Sequence, residues 1–253
     1  MIQFSINETF SKDLFFIKNI KENFNSTGTL FIGGRNSIKL FDVNGKKYNV
    51  KAFKVPHLLN AFIYGFIRKS KARRSFEYAS LLLKKGIGTP EPIAFVENKK
   101  WFGLRESYYI SEHLDLELTF RELVKDPNYS DHENILRQFA QFCFQLHENG
   151  IEFLDHSPGN TLIKKFNNSY NYYLVDLNRM KFHSFLDFDL RMKNLSHLTP
   201  KKEMVKIMSE EYAKCYGKTY QEVFDLLWKY TSDFQTKYHR KKKIKAIIKF
   251  WKK

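Results

Sequence analysis

The spacing of apolar residues changes partway along the chain, and this change limits the folds that the sequence can adopt. In the first part, apolar and polar residues alternate over short segments, and an Asn-Gly pair at residues 44–45 separates two of them, 37–43 and 48–53. Such a pair between alternating segments is typical of a β-hairpin. From residue 118 onward, apolar residues recur mostly at helical spacing. Strands followed by helices predict an α+β fold.

The same patterns predict the order of the elements. Strands are expected near residues 29–32, 37–43, 48–53, 93–97, 106–111, 161–166 and 172–176. Helices are expected over residues 58–85, 118–124 and 133–148, and through most of the chain after residue 188. Gly86 and the Asn-Gly pair at 149–150 are typical helix ends.

Size and cysteine content narrow the class of protein. The 253 residues, of which 43% are apolar, are enough for one domain with two lobes or for two small domains. Cys143 and Cys215 form neither a disulfide framework nor a zinc motif, so a reducing compartment is expected. Residues 1–20 lack a signal-peptide pattern, and the longest apolar stretch, 58–67, is too short to cross a bilayer. We therefore expect a cytoplasmic protein.

The positive charge is concentrated in two places. The formal net charge is +16, the tail from residue 237 onward carries no acidic residue, and neither does the stretch 43–76. On a helix, Ile244, Ile247, Ile248 and Trp251 of the tail share one face, as in helices that lie on anionic membranes. Such patches suit nucleic acid, acidic lipid or a phosphorylated glycan. A solvated surface, or a final helix that docks on its own domain, explains the charge equally well.

Asp155, Asn160 and Asp176 form the most informative set of polar residues. Asp155 lies five residues before Asn160 in a predicted loop, and Asp176 follows the apolar segment 173–175. Phosphoryl transfer needs a carboxylate to orient the attacking hydroxyl, and an amide and a second carboxylate to hold magnesium. An Asp before Ser-Pro-Gly is also an ordinary turn residue, so the pair alone does not establish catalysis.

Three segments carry a resemblance to a known family. They are residues 70–77 (Ser-Lys-Ala-Arg-Arg-Ser-Phe-Glu), 89–93 (Thr-Pro-Glu-Pro-Ile) and 174–180 (Leu-Val-Asp-Leu-Asn-Arg-Met). With the Asp155 loop, they resemble the lipopolysaccharide kinases of the protein-kinase-like superfamily, over roughly residues 29–182. The resemblance implies a bilobal protein-kinase-like fold with a small strand-rich N-lobe and a larger helical C-lobe. The boundaries are an N-terminal extension at 1–26, an N-lobe at 27–113 and a C-lobe at 114–253, with a hinge near 112–117.

The resemblance also implies roles for individual residues. Asp155 is the expected catalytic carboxylate, and Asn160 and Asp176 are the expected magnesium ligands. The residues expected to contact ATP are Gly33 and Gly34 in a phosphate loop that runs on to Arg35 and Asn36, Lys51 on its strand, Glu77 on the following helix, and Glu112 at the hinge. An ion pair between Lys51 and Glu77 would hold the lysine against the phosphates, with Lys54 as the competing lysine.

Three further side chains are expected to support the site. His156 is expected to be structural or to contact substrate, and His147 to be a packing residue whose polar atoms are satisfied. Arg179 is expected to order its loop or to contact substrate.

The family phosphorylates Kdo or heptose in the inner core of lipopolysaccharide, so the resemblance implies a kinase that uses ATP and Mg²⁺ on an anionic glycolipid or sugar. It would act at the cytoplasmic face of the inner membrane through peripheral contact, with no specific nucleic acid as a partner. The alternatives are a kinase of another small molecule or of a protein, and a pseudokinase or nucleic-acid-binding scaffold. Ser157, where many protein kinases have Lys, argues against a typical protein kinase.

Overall fold

The computed structural model describes residues 2–34, 36–116 and 118–250, without the side chains at 247, 249 and 250. Arg35 of the predicted phosphate loop, Glu117 of the predicted hinge and Trp251 of the predicted tail face therefore lie outside the described residues. The chain divides into two compact units. Unit 1 is Met1–Asp115 with Val175–Asn178, and unit 2 is Leu116–Leu174 with Arg179–Lys253.

Unit 1 is built on an antiparallel sheet of six strands. The strands are β1 (Ile2–Ile6), β2 (Thr29–Ile32), β3 (Ser37–Val43), β4 (Lys46–Phe53), β5 (Pro92–Lys100) and β6 (Gly103–Glu112), in the order β1-β5-β6-β4-β3-β2. The helices are α1 (Leu14–Lys18), α2 (Ile20–Ser26), α3 (Leu58–Phe62) and α4 (Lys71–Lys84), with a 3-10 helix at Glu8–Asp13 and a π-helix at Ile63–Ile67.

Strand alternation gives the sheet two apolar faces. Tyr48, Val50 and Ile110 pack in one cluster with Ile17 and Ile20 of the N-terminal helices. A second cluster joins Phe53, Phe95 and Ala72, the last of which belongs to α4. Residues 2–26, predicted as an extension, thus supply an edge strand and cover one face of the sheet.

The Asn-Gly hairpin is confirmed. Asn44 and Gly45 have φ values of 49° and 79°, and Val43 pairs with Lys46 across the turn. Two consecutive residues with positive φ match the right-handed twist of the flanking strands, and Asn and Gly adopt that conformation at the least cost.

The helical region predicted over 58–85 is interrupted. The π-helix ends where Arg68 adopts an extended conformation, and a new helix begins after Ser70, whose hydroxyl accepts a hydrogen bond from the Arg73 amide. This N-cap explains why helical periodicity resumes in a separate helix, α4. Gly86, with φ of 72°, follows the end of α4 as predicted.

A buried polar cluster holds the N-terminal segment to the sheet. The carboxylate of Asp13 accepts hydrogen bonds from the hydroxyl of Tyr48 and, at 2.6 Å, from the amide of Asn44. Burial, together with the hydrogen bond from its hydroxyl to Asp13, raises the pKa of Tyr48 well above its usual value. The cluster therefore adds specific polar contacts to the apolar packing of the N-terminal helices.

We expect Asp13→Ala to lower the free energy of unfolding by about 1–3 kcal/mol, because it leaves the buried Tyr48 hydroxyl without its acceptor. Asp42→Ala, at an exposed position of β3, is the matched control and should change stability by less than about 0.5 kcal/mol. Urea unfolding curves of the three proteins measure both effects. Equal midpoints for Asp13→Ala and Asp42→Ala would contradict the proposed contribution of the cluster.

Unit 2 is mainly helical. Its helices are α5 (Phe120–Lys125), α6 (His132–Glu148), α7 (Phe188–Leu195), α8 (Lys202–Tyr216) and α9 (Tyr220–Phe250). The strands β7 (Leu118–Thr119), β9 (Thr161–Phe166) and β10 (Ser169–Leu174) form one small sheet, and β8 (Ile151–Phe153) pairs with β11 (Met180–Phe182). Among the described residues, no helix is long and apolar enough to span a membrane.

Candidate active site

In unit 1, the candidate site is centred on the carboxylate of Asp176. The Lys51 ammonium, on β4, lies 2.8 Å from Asp176 Oδ1. The side-chain nitrogen of Asn178, Nδ2, donates a hydrogen bond to the same oxygen at 2.6 Å. Asp176 has a φ of 59°, the left-handed conformation that Asp adopts more readily than most residues. The local backbone, Lys51 and Asn178 together fix the orientation of this carboxylate.

Arg74 attaches the Asp176 segment to α4. This arginine is buried, and its Nη1 donates to the backbone carbonyl of Asn178 at 2.7 Å. Burial lowers the pKa of Arg74. Arg74 lies in the segment 70–77, which carries part of the family resemblance, but the sequence predicted no role for it. Its partner is a backbone carbonyl 104 residues later, and such a contact leaves no trace in apolar spacing.

The partner of Lys51 differs from the predicted one. Lys51 pairs with Asp176, whereas Glu77 accepts from Lys69 at 2.8 Å and from Arg73 at 2.9 Å. Burial raises the pKa of Glu77, but the two cationic donors outweigh burial and lower it overall. Arg73 lies four residues before Glu77 on α4, so helix geometry favours this local pair over the predicted pair with Lys51.

Lys54, the competing lysine, lies at a different place. Its backbone N–H donates to Asn36 Oδ1 at 3.2 Å, and it lines a cleft together with Pro56 and Tyr64. The contact with Asp176 belongs to Lys51. This geometry favours Lys51 as the lysine that serves the site.

The predicted phosphate loop and hinge lie at strand ends of unit 1. Gly33 and Gly34 connect β2 to β3, and Gly34 has a φ of 123° with open space where a side chain would stand. Glu112 ends β6, where its carboxylate pairs with Lys46 at 2.9 Å and its N–H donates to the Glu91 carbonyl. The side chain of Glu112 is therefore already engaged on the protein surface.

In unit 2, the candidate site is the loop from Asp155 to Asn160. The backbone carbonyl of Asp155 accepts from the Ser157 amide at 2.7 Å and from the Asn160 side-chain nitrogen at 2.8 Å. These bonds close the loop and leave the Asn160 amide oxygen as the atom of this side chain that can bind a metal. The Asp155 side chain is 42% exposed, so its carboxylate is accessible to a substrate hydroxyl.

Two arginines flank this loop. Leu154 N–H donates to the Arg179 carbonyl where β8 meets β11, which brings Arg179 Nη1 to 3.8 Å from Asp155 Oδ2. On the other side, Arg121 of α5 lies so close to Gly159 that a Cβ there would collide with its guanidinium. The sequence predicted no role for Arg121. The Gly159 beside Asn160 was the available signal, since glycine permits a close approach of another group.

The two histidines have structural surroundings, as the sequence suggested. His156 is fully buried between Phe139 and Phe153, and burial lowers its pKa to about 3. His147 is buried as well, with its ring nitrogens 2.8 Å from the Tyr212 hydroxyl and 3.2 Å from Asn194 Oδ1. Both imidazoles are neutral at pH 7, so neither supplies an exposed general base.

The donor atoms present fit a hard divalent cation. Asp176 offers carboxylate oxygens on a side chain that is one-third exposed, and Asn160 offers its amide oxygen. Magnesium prefers oxygen ligands of this kind. The two residues therefore match the ligand types that a magnesium-dependent phosphotransferase requires.

Comparisons with known proteins agree with this chemistry. Residues 28–220 match the model of the lipopolysaccharide kinase (Kdo/WaaP) family, and no curated protein sequence matches the chain. A solved structure described as WaaP in complex with acyl carrier protein is similar, with a TM-score of 0.64 and 13% identity. The superposed region covers 94% of this chain and 98% of the WaaP chain. The predicted fold class and the predicted enzyme class, a kinase, are both confirmed. The chain belongs to the lipopolysaccharide kinase (Kdo/WaaP) family.

Proposed function

We propose that this kinase transfers the γ-phosphate of ATP to a hydroxyl of a Kdo or heptose sugar in the inner core of lipopolysaccharide. The observation that carries the proposal is the 2.8 Å ion pair between Lys51 and Asp176. It brings together a lysine and a carboxylate that could bind a metal, in a member of a kinase family. A lysine for the phosphates and a carboxylate for the metal are shared by kinases of this superfamily.

Unit 1 would then be the nucleotide-binding lobe and unit 2 the catalytic lobe. Lys51 would bind the ATP phosphates, and Asp176 and Asn160 would hold Mg²⁺, which when bound neutralises charge on those phosphates. Arg74 would keep the Asp176 segment in place through the Asn178 carbonyl. Gly33 and Gly34 remain proposed ATP contacts. The other two predicted residues, Glu77 and Glu112, already have cationic partners in unit 1.

Asp155 would act on the acceptor. Its accessible carboxylate would accept a hydrogen bond from the sugar hydroxyl, orient that oxygen for in-line attack and take up its proton. The closed hydrogen bonds of the Asp155–Asn160 loop limit the motion of this carboxylate. Positioning of this kind is the main contribution that a kinase makes to phosphoryl transfer.

Arg121 and Arg179 favour an anionic acceptor. Both guanidinium groups flank the Asp155 loop, and both side chains are exposed enough to contact a ligand. Arginine binds carboxylate and phosphate groups through paired hydrogen bonds. Kdo carries a carboxylate, so these arginines would orient it beside Asp155.

We therefore expect Arg121→Ala and Arg179→Ala each to raise the KM for a Kdo acceptor about tenfold, the loss of one charge-assisted contact. The KM for ATP should stay unchanged. Arg105→Ala, at an exposed position of β6 in unit 1, is the matched control. Steady-state kinetics with each substrate varied in turn measure the KM for the Kdo acceptor and the KM for ATP separately. A rise confined to the KM for ATP would contradict this role.

The acceptor is lipid-linked, so the kinase would act at the cytoplasmic face of the inner membrane through peripheral contact. The net charge of +16 favours attraction to an anionic surface. A carrier protein is a second candidate partner, because the similar WaaP structure contains acyl carrier protein.

Phosphate transfer from labelled ATP tests the function. Purified protein with Mg²⁺ is offered a Kdo-containing lipid A precursor, a heptose-containing core and a control protein. Transfer to either glycolipid supports the proposal and identifies the sugar. Transfer to the control protein alone, or ATP binding without transfer to any glycolipid, would move the function to another acceptor. Absence of ATP binding, together with salt-sensitive nucleic-acid binding, would favour a scaffold instead.

A further inference from the structure

Unit 1 exposes a cluster of large apolar side chains that its core does not use. We call this cluster the apolar platform, and its members are Leu58, Leu59, Phe62, Phe66, Ile67 and Trp101. Their exposure ranges from 50% for Phe62 to 89% for Trp101. Single exposed apolar residues are common on protein surfaces, but several close together are typical of an interaction site.

Five members of the platform lie on one short helical segment. Leu58, Leu59 and Phe62 belong to α3, and Phe66 and Ile67 belong to the π-helix that continues it. The rings of Phe62 and Phe66 are 5.1 Å apart. The side of the segment that faces the protein is marked by the buried Ala61, so most of its large side chains point away from the core.

Trp101 joins the platform from a different part of the chain. It lies in the turn between β5 and β6, two residues before Gly103, whose φ is 129°. A Cβ at Gly103 would collide with the Ala61 carbonyl oxygen, and a Cβ at Gly65 would come within 2.6 Å of the Gly103 Cα. The backbones at Gly103 and in the helical segment are thus in direct contact, and Trp101 lies two residues along the chain from this contact.

The surroundings of the platform are positively charged. The stretch 43–76, which contains the helical segment, carries no acidic residue. Lys100 precedes Trp101 and Arg68 follows Ile67, both on the surface. A cleft beside α3 is lined by Lys54, His57 and Lys71, and no acidic side chain is among the described residues that line it.

Apolar and aromatic side chains bordered by cations have the composition of surfaces that bind anionic membranes. The aromatic and aliphatic groups enter the boundary between headgroups and acyl chains, while Lys and Arg contact lipid phosphates. Long cationic side chains reach the headgroups while their stems stay on the apolar surface. An acidic protein would match the charge too, but the lipid-linked acceptor of the proposed function favours a bilayer.

We propose that the apolar platform is the surface by which this kinase inserts into an anionic phospholipid membrane. The proposal deepens the proposed action on a lipid-linked sugar, and it names unit 1, not the basic tail, as the inserting part. In the tail, Ile244 and Ile248 are 47% and 50% exposed, and they are the apolar side chains of its predicted face that the structure describes. The platform offers more apolar surface than this pair.

Vesicle sedimentation tests the proposal with four full-length proteins. They are the wild type, the platform variant Leu59→Glu/Ile67→Glu/Trp101→Glu, the tail variant Ile244→Glu/Ile248→Glu, and Phe15→Glu. Phe15 is 83% exposed on α1, so it controls for adding a charge at an exposed apolar position of unit 1. The vesicles contain equal amounts of phosphatidylcholine and phosphatidylglycerol, or phosphatidylcholine alone.

We expect the wild type to bind the anionic vesicles, the platform variant to bind at least about tenfold more weakly, and the tail variant and Phe15→Glu to bind within about threefold of the wild type. Wild-type affinity in the platform variant, or a tenfold loss in the tail variant, would overturn the proposal. The proposal would also be overturned if the wild type bound neither kind of vesicle. The same holds if the platform proved to mediate a dimer or a complex with an acidic protein instead.

Failure of the platform and failure of the proposed kinase reaction can be told apart. Leu59, Ile67 and Trp101 are outside the proposed catalytic and nucleotide-binding residues. The platform variant should therefore phosphorylate a detergent-solubilised acceptor at the wild-type rate, and lose activity on the same acceptor in vesicles. Loss of activity on both acceptors, with normal unfolding curves, would show that the platform serves catalysis and overturn the membrane role.

Discussion

Replacing Asp155 with alanine should lower kcat by about 10³-fold or more, the contribution of a positioned carboxylate that orients and deprotonates the acceptor. Its carboxylate is accessible, and the loop is closed by hydrogen bonds to the Asp155 backbone carbonyl, which alanine retains. The loop should thus keep its shape. Nucleotide affinity should change less than about threefold, because Asp155 is not one of the proposed ATP contacts.

Single-turnover phosphate transfer and calorimetric titration with an ATP analogue measure the two quantities separately. Asp233→Ala, an exposed position on α9, is the matched control and should behave like the wild type. A variant at Asp155 that keeps more than about a tenth of the wild-type kcat would contradict the catalytic role. A variant that loses nucleotide binding as well would place Asp155 in the ATP site.

Asp176→Asn should lower turnover by a comparable factor, about 10³-fold, for a different reason. The amide keeps the size of the carboxylate but removes the negative charge that binds Mg²⁺ and pairs with Lys51 at 2.8 Å. The variant should therefore need a higher Mg²⁺ concentration for half-maximal activity, which Asp155→Ala should not. Magnesium titrations of the reaction rate distinguish the two variants.

Asp42→Asn, on the exposed side of β3, controls for the loss of one acidic charge in unit 1. Lys51→Met complements the test from the other side of the pair, and it should raise the KM for ATP more than the Mg²⁺ requirement. An unchanged Mg²⁺ dependence in Asp176→Asn would rule out a metal-binding role for this residue. The Lys51–Asp176 pair would then serve only the structure of unit 1.

The parts of the fold that the sequence predicted correctly depend on local chemistry. The Asn-Gly turn at 44–45 requires two positive φ values. Gly86 follows a helix end, where its own φ is positive as well. The alternation in β3 and β4 reflects the pleat of a strand, which places successive side chains on opposite faces of the sheet. Each of these signals lies within a few residues of the feature it predicts.

The contacts that the sequence did not predict join distant parts of the chain. Lys51 meets Asp176 instead of Glu77, and Arg74 binds a carbonyl on the Asp176 segment. Spacing along the chain predicts which elements exist, but it carries no information on which of several acids a lysine reaches. Arg121 against Gly159 is a contact of the same kind.

The apolar platform shows the same limit on the surface of unit 1. The sequence predicted an apolar and basic helical stretch, and the structure adds two features to it. Extended backbone at Arg68 separates the helical segment 58–67 from α4, and this segment contacts the chain at Gly103, two residues after Trp101. An isolated Trp between two predicted strands gives no sign that a helical segment from another part of the chain contacts the turn in which it lies.

The most direct test of the proposed reaction is transfer of labelled phosphate from ATP to a Kdo-containing lipid A precursor, with the wild type and Asp155→Ala side by side. The wild type should produce a phosphorylated glycolipid in a Mg²⁺-dependent reaction, and Asp155→Ala should bind ATP but produce almost none. Equal transfer by both proteins, or transfer by neither despite ATP binding, would contradict the proposed role of Asp155 in phosphorylating this sugar.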